Sequence, residues 1–157
     1  MGRRRYRLAV RLVVQRVSSA SVTVDGRTVG RIDGGLVVLA GVEAGDGEDQ
    51  VAAAASRLSR LRLFDDERGR MNLDIRQAGG SVLLVSQFTL AASTRKGRRP
   101  SFDRAARPEV AEPLLAGLRR RLEEAGLTVE EGRFGARMRV ELANDGPVTF
   151  VLEFRGS

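Results

Sequence analysis

Apolar residues recur along this chain with two periods, and the switch between them divides it into strands and helices. Arg11 to Val17 is a strand, and Ala20 to Asp25 is a second, with Val22 and Val24 alternating with Ser21 and Thr23. Asp25-Gly26 is a hairpin signal, and Thr28 to Ile32 is the returning strand. Leu36 to Val42 is an apolar run with glycines at 35 and 41, which predicts a buried strand. The period then lengthens. Val51, Ala54, Ala55, Leu58 and Leu61 share one helical face, with Asp46 placed to cap its start. Leu61 to Phe64 predicts a short strand, Asp65 to Gly69 a turn, and Val82 to Val85 another buried strand running into Ser86-Gln87-Phe88-Thr89-Leu90.

After a basic loop from Ala91 to Phe102, a second helix starts near Pro108 or Pro113, because proline is tolerated in a first turn. Its apolar face is Ala111, Leu114, Leu115, Leu118, Leu122 and Ala125, and Gly126 supplies the residue past its end. Strands near Leu127 to Glu131, Arg137 to Leu142 and Val148 to Phe154 close the chain. The last two flank Asn144-Asp145-Gly146-Pro147-Val148-Thr149, whose Asn, Asp, Gly and Pro predict a turn. Pro147 takes the place where an Asp-Gly hairpin would resume its strand. A proline there marks an edge, a strand start or a bulge, and a Gly-Pro bond is of the kind that can be cis. The plainer reading is a hairpin connection. Two helices among many strands make the fold class α+β. Residues 1–9 read as a basic tail and 10–157 as one domain.

Composition narrows the chemistry more than it narrows the fold. Histidine and cysteine are both absent. A Ser-His-Asp triad, a Cys-His pair, an imidazole base and a zinc site of Cys and His are therefore excluded. Carboxylates, hydroxyls, backbone groups, Lys96 as the only lysine, or the substrate itself must do any catalysis. The net charge of +7 suits an anionic partner such as RNA, although four arginines and no acid stand in the first nine residues. No apolar run approaches a membrane span and no secretory signal follows the basic start.

The polar residues offer few candidates. Ser86, Gln87 and Thr89 surround Phe88 at a strand end, where a hydroxyl can be a nucleophile, but no base stands nearby in sequence. Asp65 and Asp66, as neighbours, point apart and read as a solvated turn rather than an acid–base pair. Arg95, Lys96, Arg98 and Arg99 could hold phosphates or could simply be solvated. Phe134-Gly135-Ala136-Arg137-Met138, opening a strand, offers a flat apolar face for a base or for core packing. Arg119, Arg120 and Arg121 read as a solvated helix face.

Taken together, these blocks resemble the D-aminoacyl-tRNA deacylase family. The match is carried by Val13-Val14-Gln15-Arg16-Val17 with Ala20-Ser21-Val22, Ser86 to Leu90 with Thr94 to Phe102, Phe134 to Met138, and Asn144 to Thr149. Arg62-Leu63-Phe64-Asp65-Asp66 and Gly69-Arg70-Met71-Asn72 fit as well, so the likeness runs from about residue 10 to 154. The resemblance implies barrel-like sheet packing and a cytoplasmic homodimer with active sites at the subunit interface. It also implies hydrolysis of D-aminoacyl-tRNA, and of mischarged glycyl-tRNA, at the tRNA 3′ end. No metal and no organic cofactor is implied.

The resemblance assigns roles residue by residue. Gly146 and Pro147, joined by a cis bond, would enter the partner's site and reject L side chains. The Phe88 backbone N–H would face the ester, with Thr89 as nucleophile or positioner beside Ser86 and Gln87, and the substrate's 2′-OH would take part. Phe134, Ala136 and Met138 would hold the terminal adenine, Arg16 and Asn144 would support the clamp, and Arg95, Lys96, Arg98 and Arg99 would meet tRNA phosphates. A non-catalytic tRNA-binding module of the same fold is the alternative. The chain departs from the family pattern at Ser93, where many relatives carry an acid. It departs again at residues 1–9, which have no counterpart and imply Val10 as the native start.

Overall fold

The computed structural model describes residues 9–45 and 47–156. Its strands are β1 (Ala9–Val24), β2 (Arg27–Ile32), β3 (Gly35–Val42), β4 (Phe64–Asp65), β5 (Met71–Leu73), β6 (Ser81–Ser86), β7 (Val129–Glu131) and β8 (Arg139–Arg155). The helices are α1 (Glu48–Arg60) and α2 (Pro108–Glu124), and a 3-10 turn occupies Phe88–Ala91. The main sheet runs β2-β1-β3-β6-β7, with β8 on the other side of β1; β4 and β5 pair separately. A side chain at Gly30 of β2 would stand 2.6 Å from the Glu131 carbonyl oxygen of β7, so the two ends of the sheet nearly meet. The result is a nearly closed, barrel-like sheet carrying two helices.

Alternation sorts the core into two clusters. Val10, Leu12 and Val14 of β1, Leu36, Val38 and Ala40 of β3, and Val82 and Leu84 of β6 face α1 and α2. Val37, Leu83 and Val85 point the other way, to meet Val17, Ala20, Val22 and Ile32 inside the barrel. β3 and β6 are apolar on both faces because both faces are covered, as expected of a parallel pair. α1 buries Val51, Ala54, Ala55 and Leu58. α2 starts at Pro108, holds Pro113 within it, and buries Ala111, Leu115, Leu118 and Leu122. Beyond it, Gly126 adopts a positive φ of 89°. No helix among the described residues is long and apolar enough to cross a membrane.

Several expectations need correction. The two predicted strands Arg11 to Val17 and Ala20 to Asp25 are one strand, β1, irregular between Val17 and Ser19 against β8. Its hairpin to β2 turns at Asp25 and Gly26, both at positive φ. Asp46 lies outside the described residues, and Gly47 holds the N-cap position of α1. Leu61 to Leu63 is not a strand. Instead Phe64 and Asp65 pair with Leu73 and Met71, so Asp65 belongs to a strand rather than a turn. Phe134 to Ala136 form a turn, and the following strand begins at Arg139. Ala9 of the expected tail is already in β1, and the rest of the tail lies outside the described residues.

Arg119 is not a free surface cation. It bonds Glu131 and Glu123 and so ties α2 to β7, while Arg120 and Arg121 are exposed. Partial burial alone would lower the Arg119 pKa, and the bonds to Glu131 and Glu123 outweigh it and raise the value.

The largest correction concerns Asn144 to Thr149, which is not a hairpin. β8 runs antiparallel to β1 from Arg155 back to Arg139 without reversing. Between the pairs Gln15↔Thr149 and Val17↔Asn144 only Arg16 stands on β1, whereas Asp145, Gly146, Pro147 and Val148 stand on β8. These four residues form an enlarged bulge. Turn residues and bulge residues draw on the same chemistry, and Pro147, lacking an N–H, cannot serve the ladder in either case.

Candidate active site

β6 ends at Ser86, and the chain swings out at Gln87 into the 3-10 turn. The Gln87 N–H donates to the Ala40 carbonyl at 2.7 Å, docking the turn on β3. The turn's first internal bond runs from the Leu90 N–H to the Gln87 carbonyl at 3.1 Å. The N–H groups of Phe88 and Thr89 therefore precede any intrahelical acceptor and are the donors that a helix start leaves over. The Gln87 side-chain amide donates to Thr89 Oγ1 at 2.6 Å. That bond occupies an acceptor site of the hydroxyl and leaves its proton free to be given away. Phe88 is 60% exposed, and its ring meets Phe102 with centroids 5.2 Å apart.

Beneath the turn lies a cavity of about 460 Å³. Ser86, Gln87 and Phe88 line one side, and Phe134, Ala136 and Met138 line another. Met138 is held close to the backbone: a side chain at Gly132 would stand 2.5 Å from its sulfur. Two of the predicted groups are thus brought to one largely apolar space with a polar rim. Thr89 sits just off it, bonded to Gln87.

Gly146 and Pro147 are not brought to this cavity within the chain. They are exposed on the β8 bulge, and the bond between them is cis. The bulge is held from behind. Arg16, the one buried charged residue among those described, donates from Nε to the Asp145 carbonyl at 3.0 Å and from NH1 to the Leu63 carbonyl at 2.8 Å. Its guanidinium also pairs with Asp65 at 3.3 Å and with the Asp145 carboxylate at 3.2 Å. The Asn144 amide spans the neck of the bulge, donating to the Arg16 carbonyl at 2.9 Å and the Val148 carbonyl at 3.3 Å. Val148 is buried in the core beneath it.

Arg95 and Lys96 line a separate depression with Ser93, Ser101, Asp103 and Arg104. Two backbone bonds of 2.8 Å between Ser93 and Ser101 close the loop, and Arg95, Lys96, Arg98 and Arg99 stand exposed on it. Ser93 thus serves the loop through its backbone. Asp66 accepts from the Arg68 and Arg70 N–H groups at 2.8 and 3.1 Å, as a turn aspartate does, while its neighbour Asp65 grips Arg16. The role of Asp65 as an Arg16 partner was not foreseen. Strand pairing brings it there, and no spacing in the sequence signals it.

The sequence model of the family described as D-Tyr-tRNA(Tyr) deacylase matches residues 13–153. A D-aminoacyl-tRNA deacylase of Symbiobacterium thermophilum is 55% identical over 146 residues, covering 93% of this chain and 97% of the relative. One from Brevibacillus brevis is 54% identical over 144 residues, covering 92% and 99%. Among solved structures, the c-Myc DNA unwinding element binding protein superposes with a TM-score of 0.84 at 36% identity, covering 90% of this chain and 97% of that one. A probable eukaryotic D-amino acid tRNA deacylase shares the fold at a TM-score of 0.80 and 17% identity, covering 93% and 100%. Its matched length and these identities make the chain a member of the D-Tyr-tRNA(Tyr) deacylase family.

Proposed function

We propose that this D-aminoacyl-tRNA deacylase cleaves its ester at the cavity beneath the Ser86–Ala91 turn, in a cytoplasmic homodimer that rejects L-aminoacyl esters by shape. The observation that carries the reading is the convergence of Ser86, Gln87 and Phe88 with Phe134, Ala136 and Met138 on one cavity, beside the leftover N–H groups of the turn. The terminal adenine lies against Phe134, Ala136 and Met138. The ester carbonyl then faces the Phe88 N–H, which is placed to stabilise the oxyanion as it develops. Water adds to that carbonyl, the tRNA 3′ oxygen leaves with a proton, and free amino acid and tRNA result. Thr89 positions the reacting groups through its free proton, and the vicinal 2′-OH of the substrate assists. Such a scheme needs neither histidine nor cysteine.

Selectivity falls to the bulge. Gly146 and Pro147 of one subunit enter the other's site, hold the α-amino group through their carbonyls, and leave no room for an L side chain. This is discrimination by clash. Glycyl-tRNA, with no side chain to exclude, passes the same filter. The assembly is supported by β8, which among the described residues pairs only with β1 and exposes Phe150 and Val151, apolar residues that a second copy would cover. Arg95, Lys96, Arg98 and Arg99 meet the phosphates of the tRNA. The test is hydrolysis of D- and L-tyrosyl-tRNA by the purified protein. Turnover of the D ester alone is expected, and equal rates, or none with D, would overturn the reading. A tRNA-binding module would instead retain tRNA with steep salt dependence and no turnover.

A further inference from the structure

Arg11 stands on β1 directly between Gly41 of β3 and Glu153 of β8. Its guanidinium is largely covered, and three of its nitrogens are used. NH1 donates to the Leu90 carbonyl of the 3-10 turn, NH2 to Glu43 at 3.3 Å, and Nε to Glu153 at 3.0 Å. Next to it, a side chain at Gly41 would stand 2.7 Å from the Gln87 carbonyl oxygen and 2.8 Å from Leu90 Cβ. The turn therefore rests on two neighbouring positions. Gly41 lets its backbone come down onto the sheet, and Arg11 takes the carbonyl of Leu90, next to the two residues assigned to the reaction.

We propose that Arg11 is a positioning residue for the reaction, forming with Gly41 the seat that fixes the Phe88 and Thr89 N–H groups and the Thr89 hydroxyl. The proposal rests on the reading of this turn as the reaction site. A four-residue turn holds itself weakly, since short helices are marginal without packing. Here Phe88 and Thr89 are exposed, so the backbone must be fixed from below. Arginine suits the task because its rigid fork reaches three acceptors at once. A lysine ammonium at the same place is a single point charge and cannot reproduce that reach. Nε and NH2 are taken up by Glu153 and Glu43, and the Leu90 carbonyl receives NH1, the contact that reaches the turn.

Steady-state kinetics on D-tyrosyl-tRNA and amide hydrogen exchange over residues 87–92 test the seat together. Misplacing reacting groups by about 1 Å can cost as much as 10²-fold. Arg11→Ala is therefore expected to lower kcat roughly tenfold or more, to leave KM little changed, and to speed exchange at Leu90 to Ala92. Arg11→Lys should recover part of the loss. Glu153→Gln, which leaves the Leu90 bond in place, should hold kcat within about twofold, as expected on losing a partly exposed pair. Unchanged kcat and exchange in a folded Arg11→Ala, or a loss confined to KM, would overturn the proposal. If Arg11→Ala does not fold, Arg11→Lys and Gly41→Ala carry the same test, the latter by pushing on Gln87 and Leu90. Should the unmodified protein fail to hydrolyse the D ester, the functional reading falls. The exchange comparison then still decides whether Arg11 seats the turn.

Discussion

Two exposed pieces of backbone dominate this molecule, and they are held by different balances of packing and hydrogen bonding. The Ser86–Ala91 turn is seated chiefly by closeness: β6 beneath it is buried on both faces, Gly41 admits it to contact with β3, and Arg11 adds a bond to the Leu90 carbonyl. The Asn144–Thr149 bulge is held by a polar network: Arg16, Asn144, Asp65 and four backbone carbonyls brace it from within the sheet. A packed seat tolerates no added atom, because interiors are already dense. A bonded brace fails in another way as well: losing one partner leaves its other members unsatisfied. On the proposed reading, the first kind of support serves a donor that meets an oxyanion, and the second a loop that projects into a partner.

The contrast can be broken most forcefully at Arg16. Arg16→Ala removes the centre of the brace and should destabilise the protein by about 2–3 kcal/mol, the scale of lost bonds to a charged group. Urea titration measures this, and L-tyrosyl-tRNA hydrolysis should rise with it. Asn144→Ala opens only the neck of the bulge and should cost about 1–2 kcal/mol, again with weaker discrimination, while kcat on the D ester holds. Asp65→Asn removes a half-exposed partner and should cost up to about 1 kcal/mol, readable as a small shift of the same urea midpoint.

How far the sequence announces these two regions differs as well. Leu36 to Val42, Val82 to Val85 and both helices were legible because burial imprints local periodicity. Ser86 to Phe88 and Phe134, Ala136 and Met138 stand out in the sequence as two separate groups, and only the fold brings them to one cavity. The bulge reads as a hairpin in the sequence because Asn, Asp, Gly and Pro signal any departure from a ladder. Only the long-range pairing with β1 shows that β8 continues beyond Asn144. Nothing in the sequence singles out Arg11, and Asp65 reads there as a turn residue, for the same reason. Their partners, Leu90 and Glu153 for one and Arg16 for the other, are set by register and tertiary packing rather than spacing.

Smaller effects sharpen the picture away from both regions. Replacing Arg95, Lys96, Arg98 and Arg99 by alanine should weaken tRNA binding and flatten its salt dependence while leaving kcat nearly unchanged, as filter binding and single-turnover rates would tell. Glu153 is smaller still. Its carboxyl titrates below the ordinary range because Arg155 and then Arg11 bond the charged form. A lowered folded pKa stabilises above the unfolded value and ceases to do so as pH falls through the folded one. Glu153→Gln should therefore cost roughly 0.3–0.5 kcal/mol at neutral pH, and the difference from the unmodified protein should vanish in acid.

The selectivity assigned to the bulge is tested most directly by initial rates on D- and L-tyrosyl-tRNA for the unmodified protein beside Gly146→Ala. A side chain at residue 146 would stand 2.5 Å from Asn144 Oδ1, and the Asn144 amide is bonded at both ends of the neck, so the bulge must move. The account predicts that the unmodified protein cleaves the D ester and spares the L ester, and that Gly146→Ala loses much of that contrast. Equal rates on both esters by the unmodified protein, or an undiminished contrast in Gly146→Ala, would contradict it.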